Sequence, residues 1–153
     1  DNIERLPFDD NSFDAACAFD VLEHLENFHF ICAELLRVAS REVLISLPVS
    51  SSEVFGVLVG KTYSEKPNNA HGLYSKYYGL PLTNPGDRHR WWLYFDDIVG
   101  FFDAFARENN CSLQFYTHKP RTIKQRLARI IFSRRIYNNF FCSYLWVRLS
   151  KNN

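Results

Sequence analysis

Two short apolar runs separated by one helix-length segment constrain this chain more than any other feature. FDAACAF (13–19) is small, apolar and bounded by polar residues, the composition of a parallel strand buried on both faces. EVLISL (42–47) is a second such run, stopped by Pro48 as a strand interior should be. Between them, 27–39 carries Phe28, Ile31, Cys32, Leu35 and Val38 on one helical stripe, with Glu34 and Arg37 off it. Strand, helix and strand with short links make a βαβ unit, which predicts a right-handed crossover in a mostly parallel sheet.

The remainder is less regular at first. SSS, PNN and LPLTNPGDRHR mark 50–85 as loops, although 54–59 could begin a short helix. Helical spacing resumes over 95–109 through Ile98, Phe101, Phe102 and Phe105, and 112–117 reads as a strand. The spacing predicts a basic amphipathic helix over 122–135, with Ile123, Leu127 and Ile130 or Ile131 on its apolar side. FFCSYLWVRL (140–149), rich in β-formers, reads as the last strand. Four strands would leave FDAACAF at a sheet edge with the composition of a central strand, an aggregation hazard. The expectation is therefore that the fold continues before Asp1.

Composition excludes several classes. At 153 residues, 46% hydrophobic and 16% aromatic, the chain is one folded domain rather than a disordered segment. No run approaches the ~18 apolar residues that span a bilayer, and no signal peptide is expected from the polar opening. The four cysteines (Cys17, Cys32, Cys111, Cys142) lie far apart, without a C-x-x-C pair for zinc or redox work. A cytoplasmic, reducing setting is expected. Net charge is only +1, yet the last acidic residue is Glu108 and nine Lys or Arg follow it. Such a split points to an anionic partner for the C-terminal region.

The stretch LPFDDNSFDAACAFDVLEHLENFHFICAELLRVASREVLISLP resembles the second half of the core of class I S-adenosylmethionine-dependent methyltransferases, closest to the broad type 11 group. The motifs are LPF-x-D-x-SFD, V-L-E-H, E-L-x-R-V and a strand ending in Pro, in order over 1–48. YGLPLTNPGDRHRWWLYFDDIVGFF and FFCSYLWVRLSK look, more loosely, like the later helix and the antiparallel final strand. The resemblance implies an α/β fold, the C-terminal half of a Rossmann-like methyltransferase sheet, mostly parallel with an antiparallel final strand. FDAACAF would be the family's fourth strand and EVLISL its fifth, with 112–117 sixth and 140–149 seventh. The glycine-rich loop and the acidic ribose ligand of the family are absent, and no G-x-G-x-G occurs. The expected organisation is one partial domain over 1–153: a strand–helix–strand core (1–48), substrate-side loops (49–94), and a helix–strand–basic helix–strand region (95–153).

The resemblance implies S-adenosylmethionine as cofactor, with Asp1, Asn2 and Ile3 as a remnant of the loop that meets the adenine in relatives. In open α/β sheets ligands sit beyond the carboxyl ends of strands, so Phe19, Asp20 and Val21 should face the methionine half. Asp20 could instead cap the following turn. His24 is the candidate base or substrate contact, because imidazole titrates near neutral pH; a structural hydrogen-bonding role is the alternative. Asp20, Glu23 and His24 have i, i+3, i+4 spacing, which on a helix could place three metal ligands on one face, although no metal is expected. In DRHRWW, Arg88 and Arg90 could clamp a carboxylate or phosphate, with His89 beside them and Trp91 or Trp92 stacked on a ring or sugar. Equally, the tryptophans could pack the loop onto the next helix. Tyr74, Tyr77 and Tyr78 read as structural.

Lys124, Arg126, Arg129, Arg134 and Arg135 make the basic helix a solvated outer helix with its stripe on the sheet, or an interfacial helix on anionic lipid. Nucleic acid is not expected, since no recognition module accompanies the charge. The functional expectation is methyl transfer to a small, lipid-linked or glycan-related acceptor. This chain alone is expected to be inactive, and the protein cytoplasmic or membrane-peripheral. The alternatives are a non-catalytic methyltransferase-like remnant, or a peripheral membrane or RNA-associated module acting through the basic region.

Overall fold

A computed structural model describes residues 5–52, 89–120 and 122–152. Strand β1 (Phe13–Phe19) leads through a 3-10 turn (Leu22–His24) to helix α1 (Phe28–Val38) and strand β2 (Ala39–Pro48). Helix α2 (Phe95–Glu108), strand β3 (Cys111–Thr117), helices α3 (Ile123–Ile131) and α4 (Arg134–Phe141), and strand β4 (Tyr144–Lys151) follow. The sheet order is β1-β2-β4-β3. β1 and β2 are parallel, and β4 is antiparallel to both of its neighbours, β2 and β3. Three strands thus share one direction while the last is reversed and inserted between β2 and β3, in keeping with the expected α/β sheet.

Register explains which face of the sheet is buried. Ala16, Ala18, Val43, Ile45, Leu47, Leu145, Val147 and Leu149 alternate with more exposed neighbours and share one face through the pairs Ala18↔Ile45, Ile45↔Val147 and Val43↔Leu149. The aliphatic residues of β2 and β4 in this set are at most 1% exposed, each contributing on the order of 2 kcal/mol of apolar burial. Onto that face α1 packs Phe28, Ile31, Cys32 and Leu35, and α2 packs Ile98, Phe102 and Ala106, the i, i+4, i+8 row of one helical stripe. Cys17, Phe19, Leu44, Ser46, Trp146 and Arg148 fall on the opposite face by the same alternation, where the Phe19 and Trp146 rings meet at 5.2 Å.

The structure corrects three expectations and removes one of the two placements open for the α3 stripe. β1 is not buried on both faces: only Ala18 among its residues is buried, because β1 has one sheet neighbour and one covered face among the described residues. The basic helix is not continuous over 122–135. Thr122 and Gln125 close a capping box at its start, the chain turns extended at Phe132, and the Ser133 hydroxyl accepts from the Ile136 N–H to begin α4. The apolar stripe of α3 does not lie on the sheet, since Ala128 is its one buried residue. Phe140 and Phe141 belong to α4 rather than to the last strand; stacking of Tyr137 and Phe132 on Phe141 outweighs their β-propensity. The expected helix at 54–59 and Tyr74, Tyr77 and Tyr78 lie outside the described residues.

A second, smaller cluster of Ala128, Tyr137 and Cys142 seats α3 and α4 beside Phe95 at the start of α2. Buried Asn139 fastens this joint. Its Oδ1 accepts from the Phe95 N–H at 3.1 Å, its Nδ2 donates to the Arg135 carbonyl, and its own carbonyl accepts from Ser51 Oγ.

Candidate active site

The carboxyl end of β1 is built by a change of backbone hand. Asp20 has φ +54°, a left-handed conformation that few side chains tolerate and Asp tolerates better than most. Ser46 on β2, the register partner of the preceding Phe19, holds it there. The Asp20 N–H donates to Ser46 Oγ at 3.1 Å and to the Ser46 carbonyl at 3.3 Å, and Ser46 Oγ donates to Asp20 Oδ1 at 3.2 Å. The turn into Leu22–His24 therefore starts from a braced residue. Asp20 does not cap that turn: the preceding residue is Val21, and no side chain caps it. Phe19, Asp20 and Val21 are all exposed, forming a rim of one aromatic ring and one carboxylate at the strand end.

Beyond the rim, Leu22 is fully buried and anchors the turn, while Glu23 is carried into the interior. The Glu23 carbonyl accepts from the Arg90 N–H at 2.7 Å and the Trp91 N–H at 3.3 Å. Trp91 Nε1 donates to the Leu25 carbonyl at 2.6 Å, and Arg90 Nη1 lies 3.6 Å from Glu26 Oε1. These bonds fold 89–91 back over the strand-end turn. Two stretches that sequence analysis treated separately, LEH and the DRHRWW run, thereby become one site. His24 and His89 pack edge to face at 4.6 Å, and His24 Nε2 lies 3.8 Å from Glu23 Oε1.

Glu23, His24 and His89 each place a ligand-type atom within 4.8 Å of the others, two imidazoles and one carboxylate, a set suited to a divalent transition metal. The sequence-predicted triad with Asp20 is not the set that assembles. A face at i, i+3, i+4 needs an α-helix, whereas here a three-residue 3-10 turn follows a left-handed residue committed to Ser46.

Next to this turn, Trp91 packs against Phe28 and His29 of α1 at 5.8 and 5.4 Å, and His29 meets Phe101 of α2 at 5.2 Å. With Trp92, Leu47 and Phe102 they line a cleft of about 200 Å³, beyond the carboxyl end of β2. Trp91 thus braces the loop on the preceding helix, and half-exposed Trp92 forms the outer wall. Asp1, Asn2, Ile3 and Arg88 lie outside the described residues.

Residues 1–47 match the family model described as a methyltransferase domain. Over those residues the chain is similar to a methyltransferase domain. The match ends at Leu47 and so spans β1, α1 and β2, the unit that carries Phe19, Asp20, Val21, Glu23 and His24. No curated protein matches the chain. A solved structure described as the methyltransferase domain of bacterial-CtHen1-CN aligns with a TM-score of 0.47 and 13% identity, over 90% of this chain and 52% of its own. The chain spans about half the length of that solved chain.

Two features of the methyltransferase-like unit escaped sequence analysis. Ser46 is the one hydroxyl within the apolar run VLISL (43–47) of β2, a signal that was present in EVLISL. Glu34 was placed off the core stripe, yet it is buried and accepts from the Leu6 N–H at 2.9 Å and from Arg37 Nε and Nη2 at 2.7 and 2.8 Å. Arg37 in turn donates to the Phe8 and Leu6 carbonyls and to Asp10. The E-L-x-R-V spacing is therefore a staple that fixes the 6–10 loop leading into β1.

Proposed function

We propose that this chain forms one wall of a site for methyl transfer from S-adenosylmethionine, and that the acceptor is a small, lipid-linked or glycan-related molecule. The observation that carries the reading is the braced, exposed rim Phe19–Asp20–Val21 at the carboxyl end of β1, inside the residues that match the methyltransferase model. The rim fits the cofactor's sulfonium end in chemistry: an aromatic face and a carboxylate both favour a cation. S-adenosylmethionine, when bound, supplies a methyl group already activated by its positive sulfur. The protein's share is then alignment and, for a protic acceptor, removal of a proton.

The residues divide that work. Ser46 keeps the Asp20 carboxylate in one orientation. His24 would hold the acceptor's proton, and the Glu23 carboxylate 3.8 Å from its Nε2 would stabilise the imidazolium. The aromatic cleft of Phe28, Trp91, Trp92 and Phe101 would receive an acyl or sugar-ring portion of the acceptor.

The test is amide and indole shift mapping with S-adenosylhomocysteine, which reads weak binding directly. Expected are perturbations at Phe19, Asp20, Val21 and His24 that Asp20→Ala diminishes. Absence of perturbation at these four, with the ligand at millimolar excess, sinks the reading.

A further inference from the structure

The α3 helix is amphipathic with its apolar side outward. Ile123, Leu127, Ile130 and Ile131 are 76%, 53%, 81% and 71% exposed, while Ala128 is the residue turned inward. At about 100° per residue the four aliphatic side chains form one stripe, with Lys124 on one flank and Arg126 on the other. Nine residues are too few for a stable helix in water by propensity alone, and this one gains little from burial. Its order in the free protein rests on the capping box at Thr122 and Gln125 and on the seating of Ala128 against Tyr137 and Cys142.

Charge around the stripe is of one sign. Lys124, Arg126, Arg129 and Arg134 have no carboxylate partner among the described residues, whereas Arg135 is paired with Asp96 at 2.6 Å. No acidic residue follows Glu108 in the sequence. Beside the helix, a cleft of about 580 Å³ is lined by Lys119, Arg129 and Arg134 together with His118, Tyr137 and Asn138, and no carboxylate among the described residues lines it.

We propose that α3 docks this protein onto an anionic lipid surface, lying in the interface with Ile123, Leu127, Ile130 and Ile131 among the acyl chains. Lys124 and Arg126 extend along the stripe so that their stems cover apolar surface while their charges reach headgroup phosphates. A nucleic acid would match the charge but leave the four aliphatic side chains in water, and a helix this short lies in a membrane rather than crossing it. The proposal stands apart from the methyl-transfer reading.

Co-sedimentation of the chain with phosphatidylcholine vesicles, with and without phosphatidylserine, tests it. Expected is pelleting that requires phosphatidylserine and weakens with salt, by roughly five-fold in partition for each basic residue neutralised. Ile123→Ser/Ile130→Ser and Lys124→Glu/Arg126→Glu should each lower partition tenfold or more, with unchanged circular dichroism because all four side chains are exposed. A Leu127→Trp reporter should blue-shift on phosphatidylserine vesicles. The proposal is overturned if the wild type stays in the supernatant, if the Ile pair pellets like the wild type, or if the reporter does not shift. A stable dimer that Ile123→Ser/Ile130→Ser dissociates, without vesicle binding, assigns the stripe to a second copy and also overturns it.

Discussion

Glu34 offers the sharpest test of how the β1 unit is held together. Hydrogen bonds from the Arg37 guanidinium, then the Leu6 N–H and the guanidinium's charge, lower its pKa from an ordinary 4.5 to about 2, against the opposing effect of burial. In the unfolded chain the carboxyl recovers its ordinary value. Between pH 4.5 and 2 the unfolded state therefore binds more protons than the folded one, and stability rises with pH across that window. The contribution is fully present above about 4.5 and is lost as pH falls through the folded value. A depression of this size converts to about 3 kcal/mol, and screening around the solvated Asp10 end of the network reduces the expectation to about 2 kcal/mol. Glu34→Gln removes the charge and turns an amide donor toward Arg37 or the Leu6 N–H. Urea unfolding followed by tryptophan fluorescence should show a loss of about 2 kcal/mol at neutral pH. The variant should also fall less steeply than the wild type between pH 4.5 and 2, by the share that Glu34 contributes. A variant within about 0.5 kcal/mol of the wild type, or one that keeps the wild-type acid slope, refutes the staple.

Other expectations follow from burial. Gly100 sits exposed in α2, and a Cβ there would meet nothing within 4 Å; Gly100→Ala should raise stability by about 1 kcal/mol in the same urea assay. Burial pushes the Cys32 thiol up to about 12 and raises Cys142 as well, whereas Cys17 is exposed on β1. A thiol reagent at mildly alkaline pH should therefore label Cys17 in the folded protein and Cys32 only after denaturation.

Much of the fold was legible because alternation and helical stripes report on packing directly. In β4, Leu145, Val147 and Leu149 point inward and Trp146 outward, as period 2 requires; in α1, Phe28, Ile31, Cys32 and Leu35 are buried as their spacing predicts. The site was legible only in pieces. Nothing local links His24 to His89, and their contact depends on the Glu23 carbonyl recruiting the Arg90 and Trp91 N–H groups. The burial of Glu34 likewise depends on a donor 28 residues away. Polar side chains buried by distant backbone groups leave no periodic trace.

The α3 stripe shows the opposite limit. Periodicity grouped Ile123 and Leu127 with one of Ile130 or Ile131, because residues three and four apart share a helical face, and the structure puts both isoleucines on that side. Periodicity could not say which way that face points, since a stripe is equally regular whether it meets the protein or its surroundings. The deciding element is Ala128, which joins Tyr137 and Cys142 in the small cluster beside Phe95. A small residue on the inner side lets α3 sit close to α4 while the large aliphatic residues turn away. The Phe132–Ser133 break preserves this orientation, because it frees α4 to pack Tyr137 and Asn139 inward without dragging the α3 stripe onto the sheet. Joining the two helices by replacing Ser133 with Ala would remove the hydroxyl that accepts the Ile136 N–H and loosen α4, by about 1 kcal/mol. The outward stripe is thus a consequence of how the two helices are capped and seated, and the exposed isoleucines are what that arrangement leaves facing the surroundings.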